Sequence, residues 1–352
     1  MMGMKRTFDI ASLTRPSVKV LKPYSSARDE YVSDGSEMVF LDANENPYPN
    51  GVNRYPDPYQ RGLKEVLSSV KGVPPQNMLL GNGSDEVLDM LFRAFCEPNV
   101  DNVITLPPTY GMYKVLAGIN AVENREILLT EEFQPDVKGI LKMADPKSKM
   151  LFLCSPNNPT GNAFGTILIK QLLDEFKGLV VIDEAYIDFA ETESWLNVLN
   201  DYPNLVVTQT LSKAYGMAGL RLGICYASEE IITVLNRIKP PYNVNDLTQQ
   251  RALERLQKKE AIREEISEIL RQKRTLMETL ETLPFVNKVY NSEANFILAR
   301  VDDANKRYQQ LLDQKVVVRN RSNQPLCENT LRFTVGTQGE NAMLISLLKK
   351  MD

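Results

Sequence analysis

Residues 179–186, Leu-Val-Val-Ile-Asp-Glu-Ala-Tyr, contain an uninterrupted apolar run that ends in an aspartate. Continuous rather than alternating hydrophobicity is typical of a strand that is buried on both faces of a parallel sheet. Other runs of this kind end in polar or Gly/Pro clusters and alternate with helical patterns, at residues 78–80, 103–106, 150–154, 205–208 and 222–226. This order predicts an α/β fold with a large, mostly parallel sheet.

The chain beyond Asp246 has a different pattern. As far as about Leu283 it has the charged, amphipathic spacing of a long helix, and because no strict heptad is kept we predict a solvated connecting helix rather than a coiled coil. Strand-like runs and a closing helix from Gly339 complete an α+β pattern, with the runs at 286–290, 295–300, 316–319 and 331–335. We therefore predict a large domain, a small domain and an N-terminal arm that joins the small domain, with bounds of 46–245, 246–352 and 1–45, respectively.

Composition limits the classes of partner. The 41 basic and 45 acidic side chains give a net charge of −4, without the basic excess that binding to nucleic acid or an anionic membrane surface requires. The first 16 residues lack the apolar stretch of a signal peptide, and no run of about 18 apolar residues predicts a membrane span. We predict a cytoplasmic protein that binds small molecules, and neither nucleic acid nor membrane.

Two residue counts restrict the chemistry. The chain has no histidine, which excludes Ser-His-Asp and Cys-His catalysis and removes the commonest metal ligand. Its four cysteines are far apart in apolar surroundings, so they indicate neither a disulfide framework nor a zinc site. We predict no metal site, and proton transfer must use Lys, Tyr, Asp, Glu or Cys.

The strongest chemical signals follow the apolar runs, at the edge where open α/β sheets bind ligands. Asp183 closes a fully apolar run, and a buried carboxylate is costly unless a cation or strong donor meets it. A protonated pyridine nitrogen is such a partner, and Tyr186 can reach the phenolic oxygen of the same ring. The alternative is an aspartate that caps the next loop.

A lysine occupies the same kind of position. Lys213 belongs to the segment 210–221 that comes after the run at 205–208, where a pocket with little water lowers the pKa of an amine and makes it a competent Schiff-base nucleophile. Ser212 and Arg221 are placed to bind a phosphate, Arg221 by a charge-assisted fork. A single lysine elsewhere would be a surface residue, so the assignment depends on the assembly of motifs.

Three further segments are compatible with the same ligand. In residues 81–86, Gly-Asn-Gly-Ser-Asp-Glu, Gly83 and Ser84 begin a helical pattern and form either an anion site or an ordinary helix cap, and Asp85 suits the helix dipole in both cases. Tyr110 follows a Pro-Pro turn and either stacks on a flat heterocycle or simply packs. Asn158 offers an amide donor within a segment that composition alone describes as a turn.

The order of these motifs carries a resemblance. Asn158-Pro-Thr-Gly, Asp183 with Tyr186, and Ser212-Lys213 with Arg221 resemble fold type I enzymes of the aspartate-aminotransferase kind, which depend on pyridoxal 5′-phosphate (PLP). More segments narrow the resemblance, over essentially the whole chain, to the histidinol-phosphate aminotransferases among the class II PLP-dependent aminotransferases. These segments are 21–24, 41–47, 53–57, 93–98, 107–113 and 331–337. The resemblance implies a large PLP-binding α/β domain with a smaller α+β domain.

The family's cofactor roles can be carried over by position. The resemblance implies that Lys213 forms the Schiff base with PLP and then shuttles the substrate proton. It implies that Asp183 keeps the pyridine nitrogen protonated, which makes the ring an electron sink. Asn158 and Tyr186 would bind the phenolic oxygen, and Tyr110 would stack on the ring.

The resemblance also implies how the cofactor phosphate is held. Tyr55 matches the residue that reaches this phosphate from the neighbouring subunit, which implies a homodimer. The other residues implied around the phosphate are Gly83, Ser84, Asp85, Ser212 and Arg221.

The substrate residues follow from the same resemblance. Arg332 matches the arginine that receives the carboxylate of glutamate, and Tyr24 with Arg319 match the positions used for the substrate phosphate. Asn46 is expected at the mouth of the site. A second arginine, Arg321, competes with Arg319 for the phosphate, and the sequence leaves this choice open.

The implied reaction is amino transfer between L-histidinol phosphate and 2-oxoglutarate, which gives imidazole-acetol phosphate and L-glutamate by a ping-pong route through pyridoxamine phosphate. An aromatic amino-acid aminotransferase and a threonine-phosphate decarboxylase are alternatives on the same fold, because the cofactor motifs do not separate them. A PLP-sensing regulator is a third possibility, but the motifs begin near Tyr24 and leave no room for a helix-turn-helix domain.

Overall fold

The large sheet has seven strands, of which one runs against the others. The structure, a computed structural model, describes residues 8–24 and 38–351. The order across the sheet is β1-β7-β6-β5-β4-β2-β3, with β7 antiparallel to both of its neighbours. The strands are β1 (Met78–Asn82), β2 (Asn102–Thr105), β3 (Glu123–Glu126), β4 (Ser148–Cys154), β5 (Leu179–Asp183), β6 (Leu205–Thr210) and β7 (Leu222–Ala227). The prediction of a mostly parallel α/β sheet is confirmed.

Helices cover both faces of this sheet, which is why apolar residues in its central strands are buried on both faces. In β5, Val180 and Ile182 join the core on one face, while Leu179 and Val181 join the core on the other. The first face carries α3 (Arg61–Lys71), α6 (Val137–Met143) and α7 (Thr166–Glu175). The second carries α4 (Gly83–Phe95), α5 (Met112–Ile119) and α8 (Glu229–Ile238).

Strand β3 is the one strand of this sheet that the apolar runs do not predict. Its sequence is Glu-Asn-Arg-Glu, and its residues are exposed or half-buried because it lies at the edge of the sheet. Charged side chains on an edge strand are a common way to prevent pairing with another chain. The direction of β7 was also not predicted, since an apolar run carries no information on strand direction.

The C-terminal region forms a second, antiparallel sheet in the order β10-β11-β9-β8. The predicted connecting helix is two helices, α9 (Asp246–Leu256) and α10 (Lys259–Glu281). Residues of α9 and of the start of α10 pack on the core of the large sheet, whereas Leu276 and Leu280 pack on the small one. The remaining elements are β8 (Val286–Val289), β9 (Phe296–Val301), α11 (Ala304–Asp313), β10 (Arg319–Asn320), β11 (Thr330–Thr334) and α12 (Gln338–Leu348).

The first described residues lie on the large domain, unlike the predicted arm that joins the small domain. Two short helices, α1 (Ile10–Leu13) and α2 (Pro16–Lys19), bury Ile10 and Val18 in the core shared by α4 and α8. Between them, the Arg15 amide donates to the carbonyl of Ala94 at 3.0 Å. Apolar contact with the large domain therefore decides where this segment packs. Within the predicted arm, residues 1–7 and 25–37 lie outside the described residues.

None of the helices within the described ranges combines the length and the apolar character needed to cross a membrane.

The start of α4 lies directly against β7, and two glycines make this contact possible. Gly223 of β7 is paired with Gly81 of β1, and a Cβ atom at Gly223 would overlap the Gly83 carbonyl carbon and the Ser84 nitrogen. Residue 83 itself has φ +77°, which favours glycine. The missing side chain at Gly223 thus brings the first turn of α4 to the edge of the sheet.

We expect Gly223→Ala to lower the free energy of unfolding by about 1–3 kcal/mol, because overpacking a filled core displaces its neighbours. Denaturant titration would measure the loss. Gly118→Ala is the matched control, since Gly118 is exposed on α5 and its Cβ would meet no atom within 4 Å. Equal unfolding free energies for the two variants would contradict the proposed close contact.

Candidate active site

A cavity of about 260 Å³ lies at the carboxyl edge of the large sheet. Because β1, β2, β4, β5 and β6 run in the same direction, the side chains that follow them converge there. Most of the residues singled out in the sequence line this cavity. They are Ser84, Asp85, Tyr110, Asn158, Asp183, Tyr186, Ser212, Lys213, Arg221 and Arg332.

Asp183 ends β5 at the bottom of the cavity and is 3% exposed. Its Oδ2 accepts a hydrogen bond from the Tyr113 hydroxyl at 2.8 Å, and its Oδ1 accepts one from the Ala185 amide at 3.2 Å. Neither donor is charged. Burial raises the pKa of the carboxyl group, so a cationic partner would stabilise its ionised form.

Lys213 follows β6 and remains accessible inside the cavity. Partial desolvation, followed by the charge of Arg332, lowers the pKa of its amine. Its Nζ lies 5.7 Å from the centre of the Tyr186 ring. A lowered pKa increases the neutral fraction of the amine, which is the form that attacks a carbonyl or accepts a proton.

The first turn of α4 forms one end of the cavity. Asn82 provides no side-chain cap, so the first amides of this helix keep donors without an intrahelical acceptor. Arg221 closes the same end, because its carbonyl accepts from the Gly83 amide at 2.9 Å. A Cβ at residue 83 would lie 2.6 Å from the Arg221 guanidinium. Helix amides beside an arginine form an anion-binding arrangement.

Ser212 and Asp85 complete this end in different ways. The Ser212 hydroxyl lies 2.9 Å from that of Thr210, the last residue of β6. Asp85 accepts from the Tyr110 hydroxyl at 3.0 Å and pairs with Arg221 at 3.4 Å. Burial, followed by the charge of Asp85, raises the pKa of Tyr110, which keeps its hydroxyl protonated. The Asp85 carboxylate therefore orients Tyr110 and Arg221, and any contribution it makes to an anion site is through its amide.

Arg332 of the small sheet reaches the opposite end of the cavity. It donates to Oδ1 of Asn158, whose amide nitrogen lies 3.4 Å from the Tyr186 hydroxyl. Burial, followed by the charge of Arg321, lowers the pKa of Arg332 to about 10. The Nε atoms of Arg332 and Arg321 are both buried without a hydrogen-bond partner. Two arginines with unsatisfied donors fit anionic groups of a substrate.

Besides Gly83, whose neighbour Ser84 lines the cavity, four residues implied for the site lie outside it. Tyr24 is 74% exposed, and Tyr55 is 52% exposed and stacked on Tyr242 with ring centres 4.6 Å apart. The exposed Asn46 makes hydrogen bonds within its own loop, to the amide of Tyr48 and the side chain of Asn53.

The fourth is Arg319. It is exposed on β10 and is the register partner of Arg332 on β11. Arg321, which the sequence left as the alternative, lines the cavity instead. The site also includes residues that the sequence did not single out, namely Cys154 and Thr210, the last residues of β4 and β6, together with Ala185. Their positions directly at strand ends were the available signal.

This set of groups fits PLP. The buried Asp183 carboxylate, which lacks a charged donor, suits the ring nitrogen. Lys213 suits the aldehyde, and the uncapped turn of α4 with Arg221 suits the phosphate. Asn158 and Tyr186 lie between these ends, where the phenolic oxygen of the ring would be.

Comparisons with known proteins support this assignment. The model of the family "Aminotransferase class I and II" matches residues 39–348. A histidinol-phosphate aminotransferase of Flavobacterium johnsoniae is 65% identical over 98% of this chain and 99% of its own length. The crystal structure of the enzyme so named from Clostridium acetobutylicum has a TM-score of 0.78 at 24% identity and covers 85% of this chain and 90% of its own. That from Sinorhizobium meliloti, in complex with PLP, has a TM-score of 0.77 at 19% identity and covers 85% and 84%.

The fold and the cavity together define a PLP-dependent enzyme of fold type I. The chain belongs to the class I and II aminotransferase family.

Proposed function

We propose that this chain transfers an amino group between L-histidinol phosphate and 2-oxoglutarate, which is the reaction of a histidinol-phosphate aminotransferase in histidine biosynthesis. The products are imidazole-acetol phosphate and L-glutamate. The main support is the 65% identity to a protein of that name over nearly the whole length of both chains. The cavity adds a second line of support, because two half-buried arginines, each with a buried and unpartnered Nε, line it together with the lysine.

Several residues of the large domain that line the cavity each have their own role toward the cofactor. When bound, PLP supplies an electron sink for the charge that develops at the α-carbon of the substrate. Lys213 holds the cofactor, and its Nζ then moves the α-proton. Asp183 keeps a proton on the ring nitrogen, while Asn158 and Tyr186 orient the phenolic oxygen.

We assign the other cofactor roles to residues that line the same cavity or begin α4. Tyr110 stacks on the ring, and its hydroxyl is fixed by Asp85. The first-turn amides of α4 bind the cofactor phosphate. Three side chains also bind this phosphate, namely Ser84, Ser212 and Arg221.

The small-domain arginines bind the substrate. Arg332 receives the carboxylate of glutamate, since its guanidinium lies beside Asn158 and retains a buried donor. For the phosphate of histidinol phosphate we assign Arg321 rather than Arg319. Arg321 lines the cavity with a buried, unpartnered Nε, whereas Arg319 is exposed on β10.

Tyr24, Tyr55 and Asn46 are implied for the site but lie on the surface of one chain. All three are exposed in one chain and lie outside its cavity. Exposed apolar side chains are frequent near Asn46 and Tyr55 in the sequence, including Val39, Leu41, Tyr48 and Val52. Such a surface indicates a protein interface. We propose a homodimer in which Tyr55 reaches the cofactor phosphate of the neighbouring subunit. A cytoplasmic location stays a prediction from the sequence.

The central experiment is a half-reaction. Adding L-histidinol phosphate to the PLP-loaded enzyme, without an oxo-acid, is expected to abolish its visible absorbance band, and 2-oxoglutarate is expected to restore the band.

Lys213→Ala should lower turnover by several orders of magnitude, whereas Lys170→Ala, at an exposed position on α7, should not change it. A band that responds to aromatic amino acids but not to histidinol phosphate would contradict the substrate. Release of carbon dioxide from threonine phosphate would favour the decarboxylase, which the relatives do not.

Paired substitutions test the arginine assignment. We expect Arg321→Ala to raise the KM for histidinol phosphate by about 10- to 100-fold, the effect of losing a charged hydrogen bond. Because glutamate has no phosphate, its KM should change less. Arg319→Ala is the matched control, with an expected change below about threefold, as for an exposed charge. Steady-state kinetics would show the assignment to be wrong if the two variants exchanged these effects.

Complementation tests the shared site. Tyr55→Ala is expected to weaken PLP binding and Lys213→Ala to abolish turnover. In a mixed dimer of the two variants, one site has both Tyr55 and Lys213, so co-refolding them should raise activity above that of Tyr55→Ala alone. Replacing the partner variant by one that lacks both residues is the control. Activity that never exceeds the Tyr55→Ala level would exclude a contribution from the neighbouring subunit.

A further inference from the structure

Tyr113 is fully buried on α5 and points its hydroxyl at the Asp183 carboxylate. The hydroxyl oxygen lies 2.8 Å from Oδ2. Its ring stacks on Phe152 at 4.9 Å and 17°, and Phe152 in turn stacks on Phe92 at 5.3 Å. The ring of Tyr110 meets it edge-on at 5.6 Å. This packing holds the Tyr113 side chain in one orientation.

The two hydrogen bonds of Asp183 define the plane of its carboxylate. Tyr113 occupies one oxygen and the Ala185 amide the other, and each oxygen can still accept one further bond. Burial, followed by the charge of Asp183, raises the pKa of the Tyr113 hydroxyl well above its usual range, so Tyr113 stays protonated and donates. Burial raises the pKa of Asp183, and the hydrogen bond from the Tyr113 hydroxyl is the largest of the effects that lower it.

We propose that Tyr113 is a positioning residue that keeps Asp183 ionised and oriented toward the ring nitrogen of the cofactor. The proposal rests on the role of Asp183 in the proposed function, but not on the identity of the amino donor. Tyr113 does not line the cavity, and its hydroxyl donates to Asp183, so the role that we propose for it is exerted through that carboxylate.

Five other titratable groups interact electrostatically with Asp183. They are Asp85 on α4, Tyr110 in the loop after β2, the Cys154 thiol on β4, Tyr186 in the loop after β5 and Lys213 after β6. A substitution at Tyr113 leaves all five in place, although Tyr113→Phe also removes the hydrogen bond between the Tyr113 hydroxyl and the Cys154 thiol. The difference between variant and wild type therefore isolates the hydroxyl.

Tyr113→Phe removes this hydroxyl and keeps the stacked ring. The matched control is Tyr226→Phe, because Tyr226 is equally buried on β7 and its hydroxyl has no hydrogen-bond partner. For both variants and the wild type, the dissociation constant of PLP would be measured across a range of pH, together with the thermal unfolding of the apo protein.

For PLP binding, the ratio of the Tyr113→Phe to the wild-type dissociation constant should rise as the pH falls. Without the donor, Asp183 takes up its proton at a higher pH, and the neutral acid no longer pairs with a protonated ring nitrogen. We expect a ratio on the order of tenfold or more, typical of a lost hydrogen bond to a charged group. The ratio for Tyr226→Phe should stay near one at every pH.

In the apo protein, the effect of the substitution depends on pH in the opposite direction. Because the folded pKa of Asp183 is raised, the protein loses stability as the pH rises through that pKa. The wild type loses less stability than Tyr113→Phe, because its Tyr113 hydroxyl donates to the ionised carboxylate. The decrease in Tm caused by Tyr113→Phe should thus be larger at about pH 8 than at about pH 5. A PLP ratio that does not depend on pH, equal behaviour of the two variants, or failure of Tyr113→Phe to fold would each overturn the proposal. Wild-type turnover tests the amino donor separately.

Discussion

A carboxylate buried at the end of a central strand is the feature on which the site depends. Asp183 is held between the two faces of the sheet, where ionisation costs free energy unless donors or a cation compensate. The protein supplies two neutral donors and leaves the side facing the cavity open. This arrangement suits a ligand that brings its own positive charge, such as a protonated pyridine nitrogen. The remaining cofactor groups can then be placed by their distance from this point.

The strand order converts scattered sequence motifs into one cavity. Parallel strands end at the same edge, and the antiparallel β7 starts there, which brings Arg221 beside residues that follow β1 and β6. Close packing of Gly223 against the start of α4 moves the uncapped helix turn to this edge. A Cβ atom at residue 83 would overlap the Arg221 guanidinium, and one at residue 223 would overlap the start of α4. The anion-binding arrangement therefore depends on glycine at both positions.

The small domain brings two arginines to the cavity, and we propose that they bind the anionic groups of the substrate. Arg332 and Arg321 are partly desolvated, each carries a buried Nε without a partner, and each lowers the pKa of a neighbouring cation. Mutual repulsion of this kind is relieved when an anion enters. The contact between Arg332 and Asn158 also joins the small domain to the loop after β4, so the residues that we propose for substrate and for cofactor are in direct contact.

The sequence by itself determined the large sheet, its buried strands and most of the residues that meet in the cavity, because apolar runs and the polar residues directly after them are local signals. It also carried the family resemblance. Only the tertiary structure decided the direction of β7, the polar edge strand β3, the break between α9 and α10, and the packing of residues 8–20 on the large domain. It also placed Arg321 rather than Arg319 at the cavity, and the Tyr113 hydroxyl on Asp183. Each of these depends on which residues distant in sequence share a surface, and no local pattern encodes that.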